Sequence, residues 1–168
     1  MSIPVILDTD IGTDVDDVWA LAFLLRCPEL DIRLITTATG DTRHRAALVA
    51  KILSIAGRDD VPIGIGLSLD PAPLGHVAWL GGYRLEEYPG PVYEDGVGAI
   101  CDSVMDLDES VTIIAIGPVP NIAAALVREP QLTERSSFVG MHGSLRRGYL
   151  GAPKAMREYN VKQHALAC

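Results

Sequence analysis

The sequence predicts an α/β protein built on an open, mostly parallel sheet with flanking helices. Short apolar runs rich in β-formers alternate with stretches of helical period, and that alternation at short spacing requires parallel strands joined by helical crossovers. The runs end in polar or turn residues, which places strand ends at a common edge. The 168 residues, 48% of them hydrophobic, suffice for a single α/β domain over 1–168 with a real core.

Pro4 to Leu7 reads as a buried strand feeding the polar segment Asp8 to Asp14. From Val15 the pattern is helical, with Val18, Leu21, Ala22 and Leu25 on one face and Pro28 as the stop. Asp31 to Thr39 repeats the strand, Thr42 to Ala56 the amphipathic helix with Gly57 as its C-cap, and Val61 to Leu69 forms a third strand. Pro71 to Gly98 breaks the rhythm with Pro71, Pro73, Pro89 and Pro91, and predicts a long surface loop over about 70–96. A helix from Val97 to Leu107, a strand from Val111 to Ile116, a helix from Ile122 to Arg128 and a fifth strand from Ser137 to Met141 follow. Ligands of open parallel sheets bind beyond the carboxyl ends of the strands, so the chemistry is expected at Asp8 to Asp10, Thr39 to Asp41, Ser68 to Asp70, Ile116 to Asn121 and Met141 to Ser144.

Charge narrows the function. The net charge of −8 disfavours sequence-independent binding of nucleic acid, and no apolar run reaches the length of a membrane span. Cys27, Cys101 and Cys168 are odd in number, far apart and without C-x-x-C pairing, which fits a reducing, cytoplasmic setting, and no export is expected from the residues Met1 to Asp8. Five of the 14 aspartates, Asp8, Asp10, Asp14, Asp16 and Asp17, fall within ten residues. Helix capping by Asp14 with dipole support from Asp16 and Asp17 explains one or two of them. Five need a cation, and hard oxygen donors at this density suit Ca²⁺ or Mg²⁺. Such an ion lowers the pKa of a bound water, whose proton Asp10 could take. The spacing excludes an EF-hand, since Trp19 stands where the bidentate glutamate belongs, and no G-x-G-x-x-G follows the first strand.

The run Asp8 to Asp17, D-T-D-I-G-T-D-V-D-D, resembles the N-terminal signature of the inosine-uridine nucleoside hydrolases. Ile35 to Asp41 resembles that family's second strand ending, Val61 to Gly66 its third, Ile113 to Ile122 its glycine-x-x-x-asparagine turn, and Glu158-Tyr159-Asn160-Val161 its E-[FY]-N motif. The resemblance implies a Rossmann-like layer and hydrolysis of the N-glycosidic bond of ribonucleosides to ribose and free base. It implies Ca²⁺ as cofactor, held by Asp10, Asp17 and the main-chain carbonyl of Ile116. Asp10 would also be the base that activates water, and Asp16, Asp41, Glu158 and Asn160 would hold the sugar. Carboxylates around the sugar suit an oxocarbenium-like transition state.

The resemblance also implies a longer chain whose second half supplies a late aspartate to the metal shell. The expected reading is therefore an N-terminal portion of such a domain, truncated or frame-altered at the C-terminus, with His164 where an aspartate is usual and with weak or absent activity in isolation. The expected partner is a small-molecule ribonucleoside, with no nucleic acid and no membrane, and homo-oligomerisation is left open. Two other readings compete. One is a non-catalytic remnant or interaction module that binds metal or ribose. The other is an aspartyl-nucleophile phosphatase of the haloacid dehalogenase type, suggested by Asp8-Thr9-Asp10. His142 beside the fifth strand is a secondary candidate for a catalytic role, and Trp79, Tyr83, Tyr88 and Tyr93 in the long loop are candidates for stacking on the base.

Overall fold

The computed structural model describes residues 2–69 and 75–168. Chain order is β1 (Ile3–Thr9), α1 (Asp16–Leu24), β2 (Leu30–Thr37), α2 (Thr42–Ala56), β3 (Ile63–Ile65), α3 (Val77–Leu80), β4 (Val92–Tyr93), α4 (Gly96–Met105), β5 (Val111–Ala115), α5 (Pro120–Arg128), α6 (Leu132–Arg135), β6 (Ser136–Gly140) and α7 (Tyr159–Gln163). Short 3-10 turns sit at Leu85–Glu87 and Tyr149–Gly151. Among the described residues no helix is long and apolar enough to cross a membrane.

The six strands form one sheet in the order β4-β3-β2-β1-β5-β6, every pair parallel. β1 alternates its side chains between two cores. Val5 and Leu7 pack with Leu21 and Leu24 of α1 and Ala46, Val49 and Leu53 of α2. Ile6 packs on the other face with Leu34, Ile100 and Val104 of α4, and Ile122 of α5. A strand covered on both faces reads as a continuous apolar run, which is why Pro4 to Leu7 shows no polar alternation. Each such side chain contributes about 1.5–3 kcal/mol by burial.

The strand order reverses between β1 and β5. The chain steps outward from β1 to β4, then returns to the other side of β1, which opens a crevice at the carboxyl ends of β1 and β5.

Several boundaries differ from the sequence expectation. β3 shrinks to Ile63–Ile65 because the chain then leaves the sheet, where the Leu67 N–H donates to Asn121 Oδ1 at 2.8 Å. The expected loop of 70–96 contains α3, a 3-10 turn and the edge strand β4, a two-residue strand following Pro91 whose pairing to β3 is set by tertiary contact rather than by local pattern. The expected features at Asp70, Pro71 and Pro73 lie outside the described residues. α1 begins at Asp16 with Val15 at its N-cap and no side-chain cap, so Asp14 does not cap it. α2 matches its expected bounds and ends at Gly57.

Candidate functional site

β1 carries the acidic loop into the crevice. Asp8 is fully buried, and its Oδ1 accepts from Thr36 Oγ1 at 2.5 Å and from Asn121 Nδ2 at 2.8 Å. Among the described residues its Oδ2 has no partner. Gly12, at φ +107°, supplies a backbone turn that a side chain resists, and so lets the chain double back from Asp10 toward α1. The Thr9 hydroxyl spans that turn. It accepts from the Ile11 N–H at 3.0 Å and donates to Asp17 Oδ2 at 2.5 Å, tying the end of β1 to the first turn of α1.

The other wall comes from β5 and α7. Gly117 lies so close to the loop that a Cβ there would stand 2.6 Å from Asp10 Oδ1, which explains the glycine in the turn after β5. Asn160, buried in α7, donates through Nδ2 to the carbonyls of Ile116 at 2.8 Å and Met141 at 3.1 Å. Glu158 caps α7 by accepting from the N–H groups of Asn160 and Val161, each at 3.0 Å. A cleft of about 320 Å³ results, lined by Asp10, Asp16, Asp17, Ile116, Glu158 and Asn160 together with Thr13, Asp14, Met141, Tyr149 and Tyr159.

The structure thus brings together Asp10, Asp16, Asp17, Ile116, Glu158 and Asn160. Asp41 is not among the lining residues; its carboxylate caps α2, accepting from the His44 N–H at 2.9 Å. The Ile116 carbonyl, expected to face an ion, accepts the Asn160 amide. His142 points its Nε2 at the Gly117 carbonyl, 3.0 Å away, and packs against Phe138 rather than lining this cleft. Of the loop aromatics, Tyr88 is buried and donates to the Val61 carbonyl at 2.6 Å, Tyr83 meets Ser54 at 3.2 Å, and Trp79 lies under Lys51 Nζ. They pack the segment onto the body.

Crowding and burial raise the acids. Burial pushes Asp8 up to about 7 despite the bonds from Thr36 and Asn121, with Asp10 and Asp17 adding repulsion. Asp17 rises to about 6, mainly by burial, against the lowering bond from Thr9. Asp10 is raised by burial while the Arg45 guanidinium pulls the other way. Asp14 rises to about 6 chiefly through its hydrogen bond with Asp16. Glu158 moves down, because the backbone N–H bonds outweigh its burial. A buried group of acids raised together is the electrostatic mark of a site that takes a positive charge or a proton.

The donor set fits a hard divalent cation in kind: the cleft-lining carboxylates and a nearby main-chain carbonyl. It falls short in number, since among the described residues no three acidic, His or Cys side chains are grouped closely enough to hold an ion by themselves. A larger cleft of about 630 Å³ lies along α4 and β4, but there Asp95 is already paired with Arg128 at 2.5 Å and caps α4.

Sequence reasoning placed Asp8 and Asn121 at strand ends without giving either a specific role, and it missed Arg45 altogether. Asp8 was visible as one of five aspartates at the end of the first strand, and its burial separates it from the cleft-lining four. Asn121, fully buried, joins Asp8, the Thr37 carbonyl at 3.0 Å and the Leu67 N–H, and so ties together the ends of β1 and β2 and the chain leaving β3. Arg45, buried in α2, donates to the carbonyls of Asp10, Ile11 and Thr39. Its signal was a cation in the middle of an apolar helical face, flanked by Ala46, Leu48 and Val49.

The sequence profile of the inosine-uridine preferring nucleoside hydrolases matches residues 5–167. The chain is 34% identical to the non-specific ribonucleoside hydrolase RihC of Klebsiella pneumoniae over 96% of its own length and 55% of that protein. It is 32% identical to the RihC of Escherichia fergusonii, over 100% of this chain and 58% of that one. Among solved structures, the purine-preferring ribonucleoside hydrolase of Gardnerella vaginalis superposes with a TM-score of 0.76 at 26% identity, covering 98% of this chain and 55% of that one. The inosine-uridine preferring nucleoside hydrolase of Bacillus anthracis shares the fold at a TM-score of 0.80 and 19% identity, covering 98% of this chain and 60% of the other. The chain spans about half the length of the curated relatives it matches. A match along nearly the whole sequence, from the acid-bearing strand β1 to the α7 motif, means that this chain belongs to the inosine-uridine preferring nucleoside hydrolase family.

Proposed function

We propose that this cleft serves the hydrolysis of the N-glycosidic bond of ribonucleosides, releasing ribose and free base. One observation carries the reading: Asp10, Asp16 and Asp17 from the β1–α1 loop meet Glu158 and Asn160 of α7 across a cleft of about 320 Å³. That size suits a sugar, and the lining presents hydrogen-bond acceptors to its hydroxyls and negative charge to a developing oxocarbenium ion. The relatives named as ribonucleoside hydrolases support the same substrate class.

Asp10 is the proton acceptor. Burial raises its carboxyl above the usual range, which makes it a better base than an exposed aspartate while the neighbouring Arg45 keeps the charged form accessible. It takes a proton from water as the water oxygen bonds to the anomeric carbon, whose bond to the base nitrogen is by then already largely broken. The base leaves with the bonding pair of that carbon–nitrogen bond, and solvent supplies its proton. Asp16, Glu158 and Asn160 orient the ribose hydroxyls. Asp41, capping α2 beside the strand ends, would reach the sugar only from the rim. Calcium, held by Asp10, Asp17 and the Ile116 carbonyl, would supply positive charge that makes the attacking water more acidic. On this reading, turnover by the residues of this chain alone is slow.

Calorimetric titration with Ca²⁺ and ribose tests the reading. Binding of both, with ribose tightening the ion, is the expected result. Failure to bind either, together with phosphate release from phosphoesters, would favour the aspartyl phosphatase instead.

A further inference from the structure

We propose that Arg45 is a positioning residue of the cleft: its guanidinium holds the turn from Asp10 to Thr13 in the shape that presents the Asp10 carboxylate to a divalent cation. The proposal rests on the calcium reading above.

Arg45 sits one turn into α2, on the face that packs beneath the acidic loop, and only 5% of it is exposed. A buried arginine is retained where its fixed fork of donors is matched by acceptors. Here the acceptors are main-chain carbonyls. One terminal nitrogen donates to the carbonyls of Asp10 and Ile11, the latter at 2.7 Å, and Nε donates to the Thr39 carbonyl at 2.8 Å. Both terminal nitrogens also lie 3.3 Å from Thr13 Oγ1. The three carbonyls belong to two separate loops, one after β1 and one after β2.

Each of these loops carries a backbone that side chains resist. Gly12 is at φ +107° and Thr39, which is not a glycine, at φ +60°. Thr39 is held from the other side too, its N–H donating to the Leu67 carbonyl at 2.9 Å. The guanidinium therefore fastens both unfavourable turns at once, and no carboxylate is consumed in doing so: its bonds go to main-chain oxygens and a hydroxyl, leaving the Asp10 carboxylate to the cleft. A lysine in its place keeps the charge but offers a single nitrogen, which cannot span acceptors on two loops.

Two effects of Arg45 on a bound cation oppose one another. A fixed positive charge beside the site repels the ion, whereas a rigid loop spares the ion the ordering of its ligands. The proposal holds that ordering wins, and this makes the sign of the mutational effect diagnostic. Calcium affinity is measured by calorimetry for the unsubstituted chain, Arg45→Lys and Arg45→Ala, and amide hydrogen exchange is followed in the same proteins without metal. Both substitutions are expected to weaken Ca²⁺ by tenfold or more and to speed exchange at residues 10–14 while β1 and the body of α2 stay protected. Tighter Ca²⁺ binding in Arg45→Ala with unchanged binding in Arg45→Lys would assign Arg45 a purely electrostatic role and overturn the proposal. Unchanged exchange at residues 10–14 in both variants would overturn it as well. If the unsubstituted chain takes no Ca²⁺, the calcium reading fails by itself, and the exchange measurement alone decides whether Arg45 orders the loop. Where Arg45→Ala does not fold, Arg45→Lys carries the test.

Discussion

The hydroxyl of Thr9 donates to the carboxylate of Asp17 at 2.5 Å, so the last residue of β1 holds a carboxylate on the first turn of α1. The acid nearest the helix is thus aimed by the strand, and the loop between them cannot move without breaking a buried bond.

Thr9→Val keeps the shape of the side chain and removes this donor. A hydrogen bond to a charged partner contributes about 1.5–3 kcal/mol, so urea denaturation near neutral pH should show a loss of that size. In an Asp17→Asn background the same substitution should cost less, because the acceptor is no longer charged. Equal losses in the two backgrounds would show that the Thr9 hydroxyl does not act through Asp17.

Stability should fall as pH rises. Asp8 and Asp17 hold their carboxyls at about 7 and about 6, above the unfolded value. Each therefore binds its proton more tightly in the folded state. Its contribution is complete below about pH 4 and is lost as pH rises through the folded value. In chelator, the melting temperature should drop between about pH 5 and about pH 8. About 1 kcal/mol of lost stability corresponds to roughly 2–4 °C for a chain of this size. Calcium added at the upper end should restore much of it, since a bound cation favours the charged carboxylates. A melting temperature that is flat or rising over this range would contradict the burial of uncompensated acids.

Gly117→Ala tests the close approach of the two walls. A Cβ at this position would lie 2.6 Å from Asp10 Oδ1 and 2.7 Å from the Asp10 nitrogen, so either the loop or the turn after β5 must shift. Calcium and ribose binding should weaken by more than the change in unfolding free energy accounts for. Unchanged binding with a native melting temperature would mean that Asp10 does not need its present position.

What the sequence made legible follows from the range of the interactions. β1 and α2 depend on local pattern, an apolar run in one case and a helical stripe with a glycine stop in the other; α2 has its expected bounds, and β1 runs past its expected end at Leu7 to take in Asp8 and Thr9. The acidic loop was legible because its five aspartates are contiguous in sequence, and Glu158 and Asn160 because their motif resembles a family pattern. β4 was not legible: two residues after a proline carry no period, and their pairing with β3 is a tertiary fact. Nor was the bond from Asn160 to the Ile116 carbonyl, which joins residues 44 apart. Arg45 drew no reading from the sequence, because the turns after β1 and β2 that converge on it are brought together only by the fold. Residues that reach the cleft through another residue leave little trace in spacing, because what selects them is the shape of the loop they hold.

Release of ribose from inosine and uridine, followed with Ca²⁺ present for the unsubstituted chain and for Asp10→Asn, tests a hydrolytic role for this cleft most directly. The expected result is slow release that scales with protein concentration and falls by about 100-fold or more in Asp10→Asn, the loss typical of a missing general base. Release that survives Asp10→Asn, or no release from either protein while phosphoesters are cleaved, would contradict it.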